Sequence, residues 1–142
     1  MRGLDSVPLS FRNEAGEKRC PGCADWLPET SFGANKAMPD GLANRCKDCA
    51  WSAGIWSKYR ITGERYRGML DQQDGACALC LSPAKDGRLA VDHDHNCCPG
   101  ARSCGKCVRS LLCLECNTSL GGFKDDVHLM QRAINYIKEY RA

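Results

Sequence analysis

Apolar positions recur with a helical rhythm in two stretches of the chain and with a strand-like one in two others. Tyr66, Met69 and Leu70 share one face at spacings of three and four, behind a capping residue at Thr62 and ahead of Asp74-Gly75; the pattern predicts a helix from about Glu64 to Gln73. Val127, Met130, Ala133, Ile134 and Ile137 repeat with the helical period behind Asp125 or Asp126, either of which can cap, and predict a terminal helix through about Tyr140. That helix has one apolar face, which needs a partner: the protein's own body or a second copy. Leu89–Val91 and Val108–Leu112 are short β-prone runs, and a further helix is expected to begin near Asn117. Trp51 to Arg60 is aromatic and basic, and residues 1–17 are polar without periodicity, as in a flexible leader.

Length and composition narrow what these elements can build. A chain of 142 residues makes one ordinary domain or two small ones, and is too short for a large layered sheet enzyme. Its apolar share of 43% includes 12 cysteines, and 14 glycines and 6 prolines interrupt the remainder, so something besides burial is expected to help the core. No run of eighteen apolar residues suits a membrane span, and Met1 to Ser10 lacks a basic segment followed by an apolar one. The expectation is a cytoplasmic protein with no membrane partner.

Cysteines in such a compartment are kept reduced and serve metals more than disulfides. Cys20/Cys23, Cys46/Cys49, Cys77/Cys80, Cys104/Cys107 and Cys113/Cys116 are five pairs separated by two residues, with Cys97 and Cys98 adjacent. That spacing lets a tight knuckle aim both sulfurs at one ion, and zinc is the expected metal. Zinc binds thiolates, so each four-cysteine site contributes a net −2; the formal charge of +3 falls to about −1 with two sites and about −3 with three. Global charge therefore cannot carry nucleic-acid binding, which would need local basic clusters or metal ions.

The pairs divide the chain. Cys20, Cys23, Cys46 and Cys49 bracket Trp26, Phe32 and the turn Met38-Pro-Asp-Gly41, as in a zinc ribbon or knuckle with an aromatic mini-core. Such a module serves either structure alone or DNA contact. Farther on, Cys77 and Cys80 with Cys113 and Cys116 would close a structural zinc site around two short strands and a helix, a ββα finger. Asp92 and Asn117 are hard oxygen donors at the two ends of that finger, fit for a hydrated Mg2+. His93 beside Asp92 is suited to general-base work, since imidazoles titrate near neutral pH. Taken singly, Asp-His-Asp-His95 could equally be a polar turn or a transition-metal site, and Asn117 a helix cap.

The insertion between the strands holds Cys97, Cys98, Cys104 and Cys107 within eleven residues. They could hold a further zinc, His95 could replace one of the adjacent pair, or a disulfide could form. Arg102 and Lys106, with Arg109 just beyond, form a basic cluster without an acidic residue, which suits phosphate contacts or a solvated loop.

The run from about Tyr59 to Tyr140, with Gln-Asp-Gly-Ala-Cys-Ala-Leu-Cys80, Val-Asp-His-Asp-His95, Val-Arg-Ser-Leu-Leu-Cys113, Cys-Asn117 and Leu-Gly-Gly-Phe123, resembles the phage recombination endonuclease VII family of HNH, or ββα-metal, nucleases. The resemblance implies Cys77, Cys80, Cys113 and Cys116 as structural zinc ligands, Asp92 and Asn117 as ligands of a catalytic Mg2+ or Mn2+, and His93 as the general base. It also implies cleavage of branched DNA such as four-way junctions, often by an intertwined homodimer, in the host cytoplasm if the chain is phage-encoded. Ser110 stands where the family's motif has glycine, and Leu120 where its best-known member has glutamate. The expected whole is a small α+β, zinc-rich protein: a leader (1–17), an N-terminal zinc module (18–56), and an endonuclease VII-like catalytic domain (57–142).

Overall fold

The computed structural model describes residues 12–141 as a mixed α/β protein whose chain divides into two compact units, residues 1–54 and 55–142. Residues 1–11 of the expected leader lie outside the described residues. From Arg12 to Glu17 the chain makes a turn that Asn13 closes through both its side chain and its backbone onto Glu17.

The first unit is two small antiparallel hairpins. Strand β1 (Lys18–Arg19) pairs with β2 (Trp26–Leu27), and β3 (Phe32–Ala34) pairs with β4 (Leu42–Cys46). Neither hairpin could stand alone in water. Its core is Cys20, Phe32 and Cys46, with Leu27, Leu42 and Cys49 packed against it. The aromatic mini-core expected of Trp26 and Phe32 is only half present: Phe32 is buried, while Trp26 is 39% exposed, and cysteine sulfurs take its place in the interior. Helix α1 (Lys47–Tyr59) follows directly from β4 across the aromatic, basic stretch, and none of its residues is buried.

In the second unit, helix α2 (Gly63–Gln72) is capped by Thr62, whose hydroxyl accepts from the Arg65 N–H, and it buries Tyr66. Strands β5 (Ala90–His93) and β6 (Val108–Leu112) form an antiparallel hairpin, with a register shift between Asp92 and His93. The Tyr66 hydroxyl clasps this hairpin, donating to the Leu89 carbonyl and accepting from the Leu89 N–H, both at 2.8 Å. Gln73 does the same to Leu111, accepting from its N–H and donating to its carbonyl. Ile61, Tyr66, Cys77, Leu89, Val91, Leu111 and Leu112 make the unit's buried apolar set.

Helix α3 (Leu114–Gly122) begins three residues before the position expected from Asn117, because the Cys113 sulfur itself caps it by accepting from the Cys116 N–H. Asn117 thereby falls inside the first turn. Helix α4 (Val127–Glu139) starts behind Asp126, whose carboxylate accepts from the Leu129 N–H. Its apolar face stays largely open, with Val127, Ile134 and Ile137 all exposed. Among the described residues no helix is long and apolar enough to cross a membrane.

Candidate active site and metal centres

The twelve cysteines fall into three groups of four, and within each group the sulfurs lie within 4.8 Å of one another. Each group could hold a metal ion. They are Cys20, Cys23, Cys46 and Cys49; Cys77, Cys80, Cys113 and Cys116; and Cys97, Cys98, Cys104 and Cys107. The surroundings prepare thiolates. Burial pushes Cys20 up, but the N–H groups of Cys46, Cys23 and Gly22 outweigh it and bring the thiol down to about 6. Cys77 likewise reaches about 6, where the N–H groups of Cys80, Cys113 and Leu79 overcome burial. In the insertion the N–H groups of Lys106 and Cys107 lower Cys104 to about 6, while the sulfurs of Cys107, Cys98 and Cys104 push Cys97 up to about 12. Each group pairs a thiol lowered to about 6 with one raised to about 12, an imbalance that a divalent cation removes.

The insertion gathers both adjacent cysteines, Cys97 and Cys98, into one group, and gives His95 another partner. The His95 backbone N–H and Nδ1 both lie 3.3 Å from an Asp125 oxygen. Asp94 organises the loop start: its carbonyl accepts from the N–H groups of Cys97 and Cys98, and its side chain from that of Asn96.

Beside the insertion lies a hollow of about 180 Å³, lined by Lys58, Tyr59, Val91, His93, His95, Gly100, Ala101 and Asn117. Strand β5 supplies His93, and the first turn of α3 supplies Asn117. The imidazoles of His93 and His95 stand 4.5 Å apart, and Tyr59 meets His93 edge-on at 6.2 Å. His93 is only 4% exposed, and its Nε2 lies 3.1 Å from the Cys98 carbonyl oxygen. A carbonyl can only accept, so this contact places a hydrogen on Nε2, and in the neutral imidazole Nδ1 is then the acceptor. A larger hollow of about 470 Å³, around Cys80, Leu89, Leu114 and Cys116, contains no imidazole.

Asp92 does not line the smaller hollow. It is 4% exposed, and both its oxygens accept from Arg109, at 2.6 and 2.9 Å. The same guanidinium donates to Asp125 at 3.1 Å. Arg109, expected on a phosphate, is thus shared between two carboxylates, which raise its already high pKa, Asp92 foremost. Burial pushes the Asp125 carboxyl up, but Arg109 and the His95 N–H hold it below its ordinary value. Arg102 and Lys106 are exposed on the insertion.

Oxygen donors of the kind a hard divalent cation takes are present, though of Asp92 and Asn117 only Asn117 lines the hollow. A carboxylate has about four lone-pair directions, of which Arg109 uses two on Asp92, and Asn117 offers an amide oxygen on the hollow wall. Sequence reasoning overlooked Asp125 as a site residue, reading it only as a possible cap. The available signal was the doubled aspartate: Asp126 caps α4, and a second was left for other work. Lys124 and Asp125, both at positive φ (52° and 55°), form the turn that carries it there.

Comparison with known proteins bears on the family. The chain is 37% identical over 92 residues to the Gene 59 protein of Mycobacterium phage D29, covering 63% of this chain and 51% of that protein. It is also 37% identical over 90 residues to the Gene 59 protein of Mycobacterium phage L5, covering 62% and 50%. The chain thus spans about half the length of these curated relatives. No solved structure matches. The family model for recombination endonuclease VII matches residues 52–139, more than half of the chain and all of the elements from β5 to α4, so the chain belongs to the recombination endonuclease VII family.

Proposed function

We propose that the protein is a Mg2+- or Mn2+-dependent endonuclease of the HNH, or ββα-metal, type that hydrolyses phosphodiesters in branched DNA. The observation that carries the reading is the sharing of one hollow by His93, His95 and Asn117 on a finger whose two ends meet at Cys77, Cys80, Cys113 and Cys116. In this reading the thiol groups hold structural zinc, and the N-terminal group folds a module at residues 18–56 ahead of the catalytic domain.

Asp92 and Asn117 would hold the divalent ion, which when bound supplies charge stabilisation for the phosphate and the departing oxygen. His93, with Nε2 committed to the Cys98 carbonyl, accepts a proton from water at Nδ1. The water oxygen bonds to phosphorus, the P–O3′ bond breaks, and the 3′ oxygen takes a proton from solvent. His95 is oriented by Asp125, and Arg109 holds Asp92 and Asp125 in place. Arg102 and Lys106 contact neighbouring phosphates. The open face of α4 suits a second copy, and two equivalent sites suit paired cuts across a junction.

Incubation with supercoiled plasmid and Mg2+, with and without EDTA, tests for the nuclease. Junction, nicked and plain duplexes compared at one salt concentration test the substrate. Cleavage abolished by EDTA and fastest on the junction is expected. Equal rates on plain duplex would replace the junction reading with a nicking or site-specific one, and no cleavage would leave a zinc-dependent nucleic-acid-binding protein.

A further inference from the structure

The insertion group is built differently from the other two thiol groups, and its position bears on the chemistry. Its backbone is tied to the α1–α2 corner on one side. The Ser103 N–H donates to the Lys58 carbonyl at 3.0 Å, and the Arg65 guanidinium donates to the Gly105 carbonyl at 3.0 Å. Gly105 sits at a φ of +85°, so close to the corner that a Cβ there would meet the Arg60 carbonyl oxygen at 2.6 Å. On the other side the same loop presents the Cys98 carbonyl to His93, and Gly100 and Ala101 to the hollow. The same loop carries the four sulfurs of Cys97, Cys98, Cys104 and Cys107, within 4.8 Å of one another. The loop has no apolar side chain larger than alanine or proline between Cys97 and Cys107, so nothing hydrophobic can fix its shape.

We infer that Cys97, Cys98, Cys104 and Cys107 bind a zinc ion of their own, and that this ion is a positioning element of the active site because it holds the Cys98 carbonyl against His93 Nε2. The inference rests on the nuclease reading for its catalytic consequence, but not for its structural one. Zinc fixes the thiolates of an otherwise core-less loop, and the loop transmits that fixity through one backbone hydrogen bond to the imidazole. Outer partners of this kind, when removed, typically cost tenfold to a hundredfold in activity. Cys98 is therefore a positioning residue, acting through His93.

The test uses the full chain and three readouts: zinc count by native mass spectrometry, the His93 tautomer by long-range nitrogen–proton NMR, and cleavage of a branched DNA with Mg2+. The wild type is expected to carry three zinc ions and a His93 imidazole protonated on Nε2. Cys104→Ser/Cys107→Ser is expected to carry two, to show His93 in both tautomers, and to cut about tenfold to a hundredfold more slowly. Cys107→Ser alone serves if the double variant does not fold, with the same loss of one zinc ion and of the single tautomer expected. Gly105→Ala keeps every sulfur and perturbs only the contact with the corner; it is expected to retain three zinc ions and the single tautomer. Two zinc ions in the wild type, an unchanged tautomer in the cysteine variants, or a lost tautomer in Gly105→Ala with three zinc ions bound would overturn the inference. If the wild type cuts no DNA, the nuclease reading falls while zinc count and tautomer still judge the positioning.

Discussion

Cys20, Cys23, Cys46 and Cys49 present the same ligands as Cys97, Cys98, Cys104 and Cys107, in opposite surroundings. Cys20 and Cys46 are buried and, with Phe32, are the core of their unit. Cys97 and Cys104 are exposed, and the large buried side chains of the second unit, Ile61 and Leu111, lie elsewhere in its chain. Identical chemistry thus does two jobs. In the first group a metal would replace the hydrophobic interior that two short hairpins cannot build. In the insertion it would stabilise no interior, and what depends on the loop is the wall of a hollow and one hydrogen bond to His93.

The contrast breaks most readily at the first group. Cys20→Ser/Cys46→Ser should unfold residues 12–54, since binding energies of about 10–16 kcal/mol underlie small zinc modules. Amide dispersion in that segment and a zinc count lower by one would show it; a folded segment without its metal would remove the core reading. The finger stands between the extremes, having both a thiol clasp and an apolar core. Tyr66→Phe leaves both backbone groups of buried Leu89 without their partner and should cost about 1–3 kcal/mol in denaturant unfolding. Zinc content should not change, and a parallel loss of zinc would mean that clasp and core are not separable.

A site-side change sharpens the other half. Asp125→Asn weakens the bonds to Arg109 and His95, and should lower stability by about 1–2 kcal/mol. Cleavage should fall about tenfold, by analogy with other orienting partners. Rates equal to wild type would remove Asp125 from the site. The smallest effect is expected from Asp40→Asn in the first unit. The Lys18 ammonium at 2.7 Å holds the Asp40 carboxyl below its ordinary value of 3.8. A depressed carboxyl contributes stability at pH above its ordinary value and loses it only as pH falls through the folded one. The difference in melting temperature between wild type and Asp40→Asn, a few degrees at most, should therefore stay constant from pH 8 to 5, while both proteins weaken as the thiolates take up protons. A difference that itself shrinks across that window would assign the pair a different role.

Much of this was legible in the chain. The spacing of Tyr66, Met69 and Leu70 and the doubled aspartate ahead of Val127 place two helices to within a residue or two, because caps and periodicity are local. The cysteine pairs announced two groups of ligands and left the third open between a further zinc, His95 in place of one cysteine, and a disulfide; the loop around Asp94 brings adjacent Cys97 and Cys98 into one group. Tertiary facts were out of reach. That Trp26 faces outward, that Arg109 serves carboxylates, that Asp125 reaches His95, and that the Cys98 carbonyl meets His93 all depend on how distant segments meet. Backbone carbonyls in particular leave no trace in the residue alphabet.

The central claim is that phosphodiester hydrolysis takes place in the hollow shared by His93 and Asn117. The most direct test measures, side by side, the cleavage rate and DNA affinity of the wild type and His93→Ala with Mg2+ on one branched substrate. Loss of a general base typically costs a hundredfold to ten-thousandfold, so the variant should bind as the wild type does and cut at least about a hundredfold more slowly. Undiminished cutting by His93→Ala would contradict the account.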